Sequence, residues 1–499
     1  MKKIVSILLA LALILSLSTT AFATAVTIAD GDAVRTYNGY QLLTLTTSLK
    51  SNCGCAEDAT THKDDCYNYA YTVNETYEEI LQTLATAAGK TDILEYLSNL
   101  TSDISSSEYG TLHDAAEEIY NAIQEANIGA DAPNMTDTAN IPQGYWLFAD
   151  VTGLNGQNKA NSLVVVDTKG QDSLTITPKT GLPTLVKKVK DINDTTGVTT
   201  DWQDSADHDI NDTVDFQLTA TMPENIAGYD TYKIVFHDTL SDGLTLLPNT
   251  IKVMVGETDV TDSFDTPETA TSLFEISCED ILSIEGIEVD KDTKFVVTYS
   301  ATLNENAVIG AAGNPNTAYL EFSNNPYDEG TGKTKEDKVI VFTYQLTINK
   351  TDADAKPLAG AGFILYKQNS EGVYEPIGEE LKGDDMTTFT WTGLDDGEYK
   401  LVENTVPDGY NKMADVEFTI TAKHEEESDA PTLTSLTTTY DGAEVENGTI
   451  TNSVENNTGM ELPETGAKGT VMLITISTMF VMVAAVFMIT RKKMSIYED

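Results

Sequence analysis

Strand-like alternation in this chain repeatedly puts a lysine, a carboxylate or an asparagine on the apolar face, and that pattern limits the fold more than any other feature. Residues i, i+2 and i+4 of a strand face one side. Leu346, Ile348 and Lys350 share a face, as do Tyr399, Leu401 and Glu403, and again Ile450, Asn452 and Val454. An unpaired lysine or carboxylate in a core is costly, so three such strands in one short segment predict that these groups meet. An earlier segment repeats the pattern with Leu185, Lys187 and Val189, with Ile234, Phe236 and Asp238, and with Leu320, Phe322 and Asn324. Lys188 and Asn325 are the competing neighbours, which a β-bulge would bring into phase.

Burial gives such groups a chemistry. It lowers the pKa of a lysine and raises that of a carboxylic acid, so both tend to their neutral forms. A neutral amine beside an amide carbonyl, with an acid to polarise the carbonyl and shuttle protons, can form an amide and release ammonia. The product is a single-turnover isopeptide cross-link.

The run Tyr399-Lys-Leu401-Val-Glu403-Asn-Thr-Val406-Pro407-Asp-Gly409-Tyr410 resembles the E-box of collagen-adhesin B-type domains, with Val406 in place of alanine. That resemblance implies Lys350 as the amine, Glu403 as the catalytic acid and Asn452 as the electrophile. Thr184-Leu-Val-Lys-Lys-Val-Lys-Asp191 and Glu321-Phe-Ser-Asn-Asn-Pro326 resemble the second domain of three-domain backbone pilins, a collagen-adhesin A-like fold. There the assignment is Lys187, Asp238 as the promoting acid, and Asn324.

Both ends read as addresses. Lys2 and Lys3, the apolar run Ile4–Leu17 and Ala21-Phe22-Ala23 have the layout of a secretory signal peptide, residues 1–23, with Ala25 the alternative cleavage point. Val471–Thr490 is twenty uncharged, mostly apolar residues, long enough for a transmembrane helix, and Arg491, Lys492 and Lys493 place the tail 491–499 in the cytoplasm. Before that span stands Leu462-Pro463-Glu464-Thr465-Gly466. Motif, span and basic tail together resemble the cell-wall sorting signal of Gram-positive surface proteins. The resemblance implies that a membrane sortase cuts between Thr465 and Gly466 and holds Thr465 as a thioester until an amine attacks.

The attacking amine would come from an exposed lysine of another subunit. Thr175 to Pro183 reads as a strand ending in a linker punctuated by Pro178, Gly181 and Pro183, with Lys179 at its middle. The Pro178-Lys179 pair resembles the pilin motif of sortase-assembled pili, with Thr177 and Thr180 where that family has tyrosine and asparagine. Lys169 is the nearby competitor.

The body divides into residues 26–178, 180–345 and 346–456, with no repeat at a period of about 20–50 residues. In the first, Ile80, Leu81, Leu84, Ala87 and Ala88 mark one amphipathic helix and Leu112, Ala116, Ile119 and Ile123 another. Strands are expected at Tyr40–Thr47 and Gly144–Asp150. Arg35 stands where a nucleophile would be needed, and a guanidinium stays charged, so no isopeptide is expected in this domain. Cys53, Cys55 and Cys66 are disulfide candidates outside the cell, with Cys278 distant; zinc on these cysteines and His62 is disfavoured by the loose spacing and the compartment. His424-Glu425-Glu426-Glu427 reads as a solvated loop rather than a metal site, and the aspartates from Asp204 to Asp212 could bind calcium but read as the Asp-rich turns common in such chains, so neither a metal nor a cofactor is expected.

The predicted fold is mainly β: tandem Ig-like β-sandwich domains, collagen-adhesin A-like and B-like, after an α+β N-terminal domain, with a C-terminal transmembrane helix. Acidic residues number 79 against 30 basic ones, a net charge of −49, which excludes a nucleic-acid partner. The 40% hydrophobic content excludes a disordered acidic chain. The resemblances imply a structural shaft subunit of a covalent, cell-wall-anchored surface pilus, a sortase substrate and not an enzyme on foreign substrates. Implied partners are a class C-type pilus sortase and a housekeeping sortase, identical pilin subunits, minor or tip pilins and peptidoglycan; host or microbial surface ligands are left open. The alternative is a wall-anchored adhesin, or a minor or basal pilin that is not extended through Lys179.

Overall fold

The computed structural model describes residues 23–28, 35–50, 66–101, 111–136, 138–176, 181–458 and 467–494. Alternation decides the strands within them. Thr213–Thr221 turns Val214, Phe216, Leu218 and Ala220 inward and leaves Asp215, Gln217 and Thr219 half-exposed. The same rhythm governs Lys294–Leu303 and Asn314–Ser323.

In the N-terminal domain, β1 (Tyr37–Leu49) pairs antiparallel with β2 (Gly144–Asp150), covering both expected strands. Helices α1 (Glu78–Ala87), α2 (Ile93–Ser98) and α3 (Thr111–Glu125) cover one face of that sheet. Leu81 and Ala85 of α1 and Ala115, Ala116, Ile119 and Ile123 of α3 pack with Tyr40, Leu42 and Leu147 of the sheet. Arg35 is buried beside this sheet, and its Nη1 donates to Asp150 Oδ2 at 2.5 Å and to the Ala160 carbonyl at 2.7 Å. Cys66 is buried; Cys53, Cys55 and His62 lie outside the described residues. Cys278 is buried in the middle domain.

The middle domain is a sandwich of β3 (Thr184–Val189), β4 (Ser205–Asp207), β5 (Thr213–Thr221), β6 (Ile234–Leu240), β7 (Leu244–Val255), β8 (Leu273–Cys278), β9 (Lys294–Leu303), β10 (Asn314–Ser323) and β11 (Asp337–Phe342). One sheet has the order β3-β5-β9-β7 and the other β4-β11-β10-β6-β8. Their inner faces share one core that includes Phe216, Phe236, Val297, Leu320 and Val341.

The C-terminal domain follows at once, with β12 (Tyr344–Asp352), β13 (Gly362–Gln368), β14 (Thr388–Leu394), β15 (Gly397–Thr405), β16 (Val416–His424) and β17 (Thr449–Asn456). One sheet is built on β14-β12-β17 and the other on β13-β15-β16. The first and last strands, β12 and β17, are parallel neighbours, with Lys350 opposite Val454 and Asp352 opposite Asn456. Where this domain meets the middle one, a side chain on Gly310 would strike the backbone of Asn447, and one on Gly448 the backbone of Gly310. Both glycines have positive φ, so each is needed for turn and approach alike.

Helix α4 runs from Ala467 to Met494, and its described side chains, 476–489, are exposed. Among the described residues no helix is both long and apolar enough to cross a membrane. The expected span Val471–Thr490 begins and ends outside those side chains.

The N-terminal domain rests on the middle one through α3. The imidazole of His113 lies where a side chain on Gly228 would stand. Burial, then Asp230, Asp114 and Glu118, raise the Glu117 carboxyl from an ordinary 4.5 to about 7. A raised acid binds its proton more tightly in the folded state, so this group stabilises the contact below about pH 4.5 and loses that contribution as pH rises through about 7. Thermal unfolding of the wild type and of Glu117→Gln should therefore differ in pH slope over that window, the variant being flatter.

Candidate functional site

Two buried sets of side chains stand out, one inside each sandwich. In the middle domain β3 carries Lys187 on its inner face, between Leu185 and Val189, and β6 carries Asp238. Both are fully buried. Lys187 Nζ donates to Asp238 Oδ2 at 2.6 Å and to the Tyr299 hydroxyl at 2.8 Å. Tyr299 in turn donates to Asp238 Oδ2 at 2.7 Å. The amine also lies over the rings of Phe216 and Tyr299. Burial pushes the lysine down and the aspartate up, each against the attraction of the other, so the low-polarity core favours neutral amine and neutral acid. Lys188 points the other way, pairing with Asp204 at 2.9 Å and Glu427 at 2.8 Å, so Lys187 is the buried amine.

The amide in this set is Asn316, not the expected Asn324. Asn316 Nδ2 donates to the Tyr299 hydroxyl at 2.8 Å, the same oxygen that Lys187 reaches. Asn324 sits at the far end of β10, where its Nδ2 donates to the carbonyls of Leu154 and Lys159 in the N-terminal domain. It ties two domains together and is remote from the amine. The neighbouring Tyr327 hydroxyl helps, donating to the carbonyls of Asp150 and Ser162. The signal for Asn316 was present: it is in phase with Ala318, Leu320 and Phe322. Choosing it needed the register, which puts Ala318 opposite Asp238 and Asn316 one inward position along.

In the C-terminal domain β12 carries Lys350 and β15 carries Glu403, both buried. Lys350 Nζ donates to the carbonyls of Thr351 at 2.7 Å and Val454 at 3.2 Å. Burial lowers its pKa, with the charge of Glu403 as the main opposing influence. Glu403 Oε2 accepts from the Met413 backbone at 2.8 Å, and Oε1 from Asn456 Nδ2 at 2.7 Å. Here too the expected amide is replaced. Asn452 faces inward but lies opposite Ile348, with its Nδ2 donating to Asp441 and its Oδ1 accepting from Ser453. Asn456, in the same phase and further along β17, is the amide that reaches the acid.

Three oxygens in these sets have no hydrogen-bond partner among the described residues: Asp238 Oδ1, Asn316 Oδ1 and Asn456 Oδ1. A buried carbonyl oxygen without a donor is costly. In each set it belongs to the amide beside the acid, where a carboxyl proton could satisfy and polarise it. Amine, acid and amide thus stand together twice, in neighbouring domains.

A family model described as a prealbumin-like fold domain matches residues 344–455, and one described as a Gram-positive pilin backbone subunit 2, Cna-B-like domain, matches residues 210–326. The chain carries the domains of a Gram-positive backbone pilin. By that description residues 210–326 of the middle domain are Cna-B-like, where the sequence led us to expect an A-like fold. A curated relative, the trypsin-resistant surface T6 protein of Streptococcus pyogenes serotype M6, is 33% identical over 158 residues. That match spans 29% of this chain and 28% of the relative's length. The solved T6 backbone pilin of the same serotype, a modular three-domain structure, covers 88% of this chain and is itself covered to 99%, with a TM-score of 0.53 at 17% identity, which shows a shared fold.

Lys179 and the motif Leu462 to Gly466 lie outside the described residues. The competitor Lys169 lies over the Tyr71 ring, with Asp167 at 4.0 Å. His424 is not the solvated residue expected: its Nδ1 meets Ser205 Oγ at 2.7 Å and its Nε2 faces Asp207 and Asp191.

Removing Asp238 would strand the Lys187 amine. Asp238→Ala should destabilise the middle domain by roughly 3–5 kcal/mol, read as a lower denaturant midpoint.

Proposed function

We propose that this chain is the structural shaft subunit of a covalently polymerised cell-surface pilus, hardened by two self-formed isopeptide bonds, Lys187 to Asn316 and Lys350 to Asn456. The observation that carries the reading is the pairing of a buried lysine, a buried acid and a buried asparagine inside both sandwiches. In each, the neutral amine nitrogen attacks the amide carbon while Asp238 or Glu403 donates its proton to the amide oxygen. The tetrahedral intermediate then expels the amide nitrogen, which leaves as ammonia after taking up one proton from the attacking amine by way of the acid, while the oxygen returns its proton to the acid as the carbonyl reforms. One C–N bond forms, one breaks, and the acid ends as it began.

Polymerisation needs two further groups, read from the sequence. A pilus sortase would cleave between Thr465 and Gly466 and pass the Thr465 carbonyl to Lys179 of the next subunit, at the linker between the N-terminal and middle domains. A housekeeping sortase would pass the finished fibre to peptidoglycan. Minor or tip pilins would join the same fibre, with the helix across Val471–Thr490 holding each subunit at the membrane until it is cut.

Intact mass tests the cross-links. The wild type should lack two ammonias under denaturing, reducing conditions; Lys187→Ala, Asn316→Ala, Lys350→Ala and Asn456→Ala should each regain one, whereas Asn324→Ala and Asn452→Ala should match the wild type. An unmodified wild-type mass would overturn the isopeptide reading. Polymerisation is tested separately with a class C-type pilus sortase. Wild type should give a covalent ladder on a denaturing gel and Lys179→Ala none. A ladder that survives Lys179→Ala would move the linkage to another lysine such as Lys169, and wall attachment without any ladder would favour a wall-anchored adhesin or basal pilin.

A further inference from the structure

His424, the last residue of β16, carries the C-terminal domain into the middle one. Its side chain is 7% exposed and meets three residues of the middle domain. Nδ1 lies 2.7 Å from Ser205 Oγ of β4. Nε2 faces Asp207 Oδ1 of β4 at 3.3 Å and Asp191 Oδ2, just past β3, at 3.5 Å. The Phe342 ring of β11 stands 5.9 Å away. Around this ring the junction closes through the backbone. Asp204 N–H donates to the Glu426 carbonyl at 2.8 Å, and Ser428 N–H to Asp204 Oδ2 at 2.7 Å.

The hydrogen bonds fix the state of the imidazole. Ser205 donates its single hydroxyl proton to the Glu425 carbonyl at 2.7 Å, so toward His424 it accepts, and Nδ1 carries a hydrogen. On the other side the acceptors are carboxylates. Against burial, which raises it, the bond to His424 and its charge hold the Asp207 carboxyl below the usual range, so Nε2 carries a hydrogen as well. A ring that donates from both nitrogens is an imidazolium. Against burial, its bonds to Asp191 and Asp207 and their charges raise its pKa from 6.5 to about 9. The other charged groups nearby are engaged elsewhere. Burial, then the charge of Asp207, raise the Asp395 carboxyl, which offers its proton to Asp207, and the Tyr344 hydroxyl bonds there too. Lys367 is held by Asp194, Asp209 and Asp395, and Lys188 by Asp204 and Glu427. His208 bonds inside the middle domain, to the Lys190 carbonyl and toward Asp212.

We infer that His424 is a protonation-dependent latch between the middle and C-terminal domains: as an imidazolium it ties β16 to Ser205, Asp207 and Asp191, and on losing a proton it lets this side of the junction open. Whichever nitrogen gives up its hydrogen, a lone pair is left facing either a carboxylate or a hydroxyl oxygen whose own proton is already given to Glu425. Because the folded state raises the pKa, the contribution is whole below about pH 6.5 and is lost as pH rises through about 9. Lys367 stays charged across that range and reaches from the C-terminal domain to Asp194 and Asp209, so the release is local and the joint loosens without parting.

Amide hydrogen exchange on the full chain in detergent tests this between about pH 6.5 and about pH 10, each rate divided by its intrinsic value at that pH. The reporters are the segments holding the Asp204 and Ser428 amides, whose bonds cross the junction, and β10 serves as the reference that each chain is folded. Wild-type protection should hold at neutral pH and fall at least about tenfold as the imidazolium titrates. His424→Gln should show the low protection at every pH, and Asp191→Asn should release about one pH unit earlier, having lost one of the two charges that hold the proton. The inference is overturned if wild-type protection does not fall with pH, or falls equally in His424→Gln. An Asp191→Asn chain that loses protection at every pH with its release point unmoved would make the contact merely structural and overturn it as well. If His424→Gln does not fold, the wild-type profile and the shift in Asp191→Asn decide the matter.

Discussion

An amine buried without water must either find a counter-charge or lose its own, and both sandwiches of this chain are organised around that constraint. Lys187 sits against Asp238 and Tyr299 with no access to solvent. Lys350 lies at the end of β12 with backbone carbonyls as its direct acceptors and Glu403 close enough to act on its charge. A stable ion pair would be a weak use of so much burial, since apolar residues of the same volume generally hold a core as well or better. What an apolar replacement cannot provide is a nucleophile, an acid and an electrophile packed together.

The third lysine in this class makes the contrast within one molecule. Lys367 is also buried, but three aspartates surround it and hold its pKa far above the usual lysine range, against the effect of burial. It stays an ammonium and cannot attack. On the proposed reading the chain uses buried lysines in two ways, as a reagent where burial outweighs the carboxylates around the amine and as a permanent charge where three carboxylates contact it directly.

Much of this was legible in the sequence, and the reason lies in parity. Strand phase tells inside from outside, and it was enough to single out Lys187 over Lys188, and Asp238, Lys350 and Glu403 as inward. It does not tell which inward position along a strand lies beside which position on its neighbour. Asn316 on β10 and Asn324 just past its end are in one phase, and Asn452 and Asn456 share one face of β17, so phase alone could not separate them. Register and strand order separate them, and those are set by contacts across the whole sandwich. The contact between the middle and C-terminal domains was less legible for the same reason: Asp207 and Asp395 are far apart in the chain and meet only where β4 approaches the turn after β14. Tyr299, which links amine, acid and amide in the middle domain, looked like any other inward aromatic of its strand.

The parallel pairing of β12 and β17 has a mechanical consequence of its own. Load reaches the C-terminal domain at Tyr344, the start of β12, and leaves it past Asn456, the end of β17. In a parallel pair those two points lie at opposite ends of the ladder. Pulling them apart slides one strand along the other, so the whole row of hydrogen bonds from Gln345–Thr449 to Asp352–Asn456 is strained at once. An antiparallel pair gripped at a shared end would instead peel open one bond at a time. The strand order alone thus sets this domain in shear, the geometry in which a hydrogen-bonded sheet yields last.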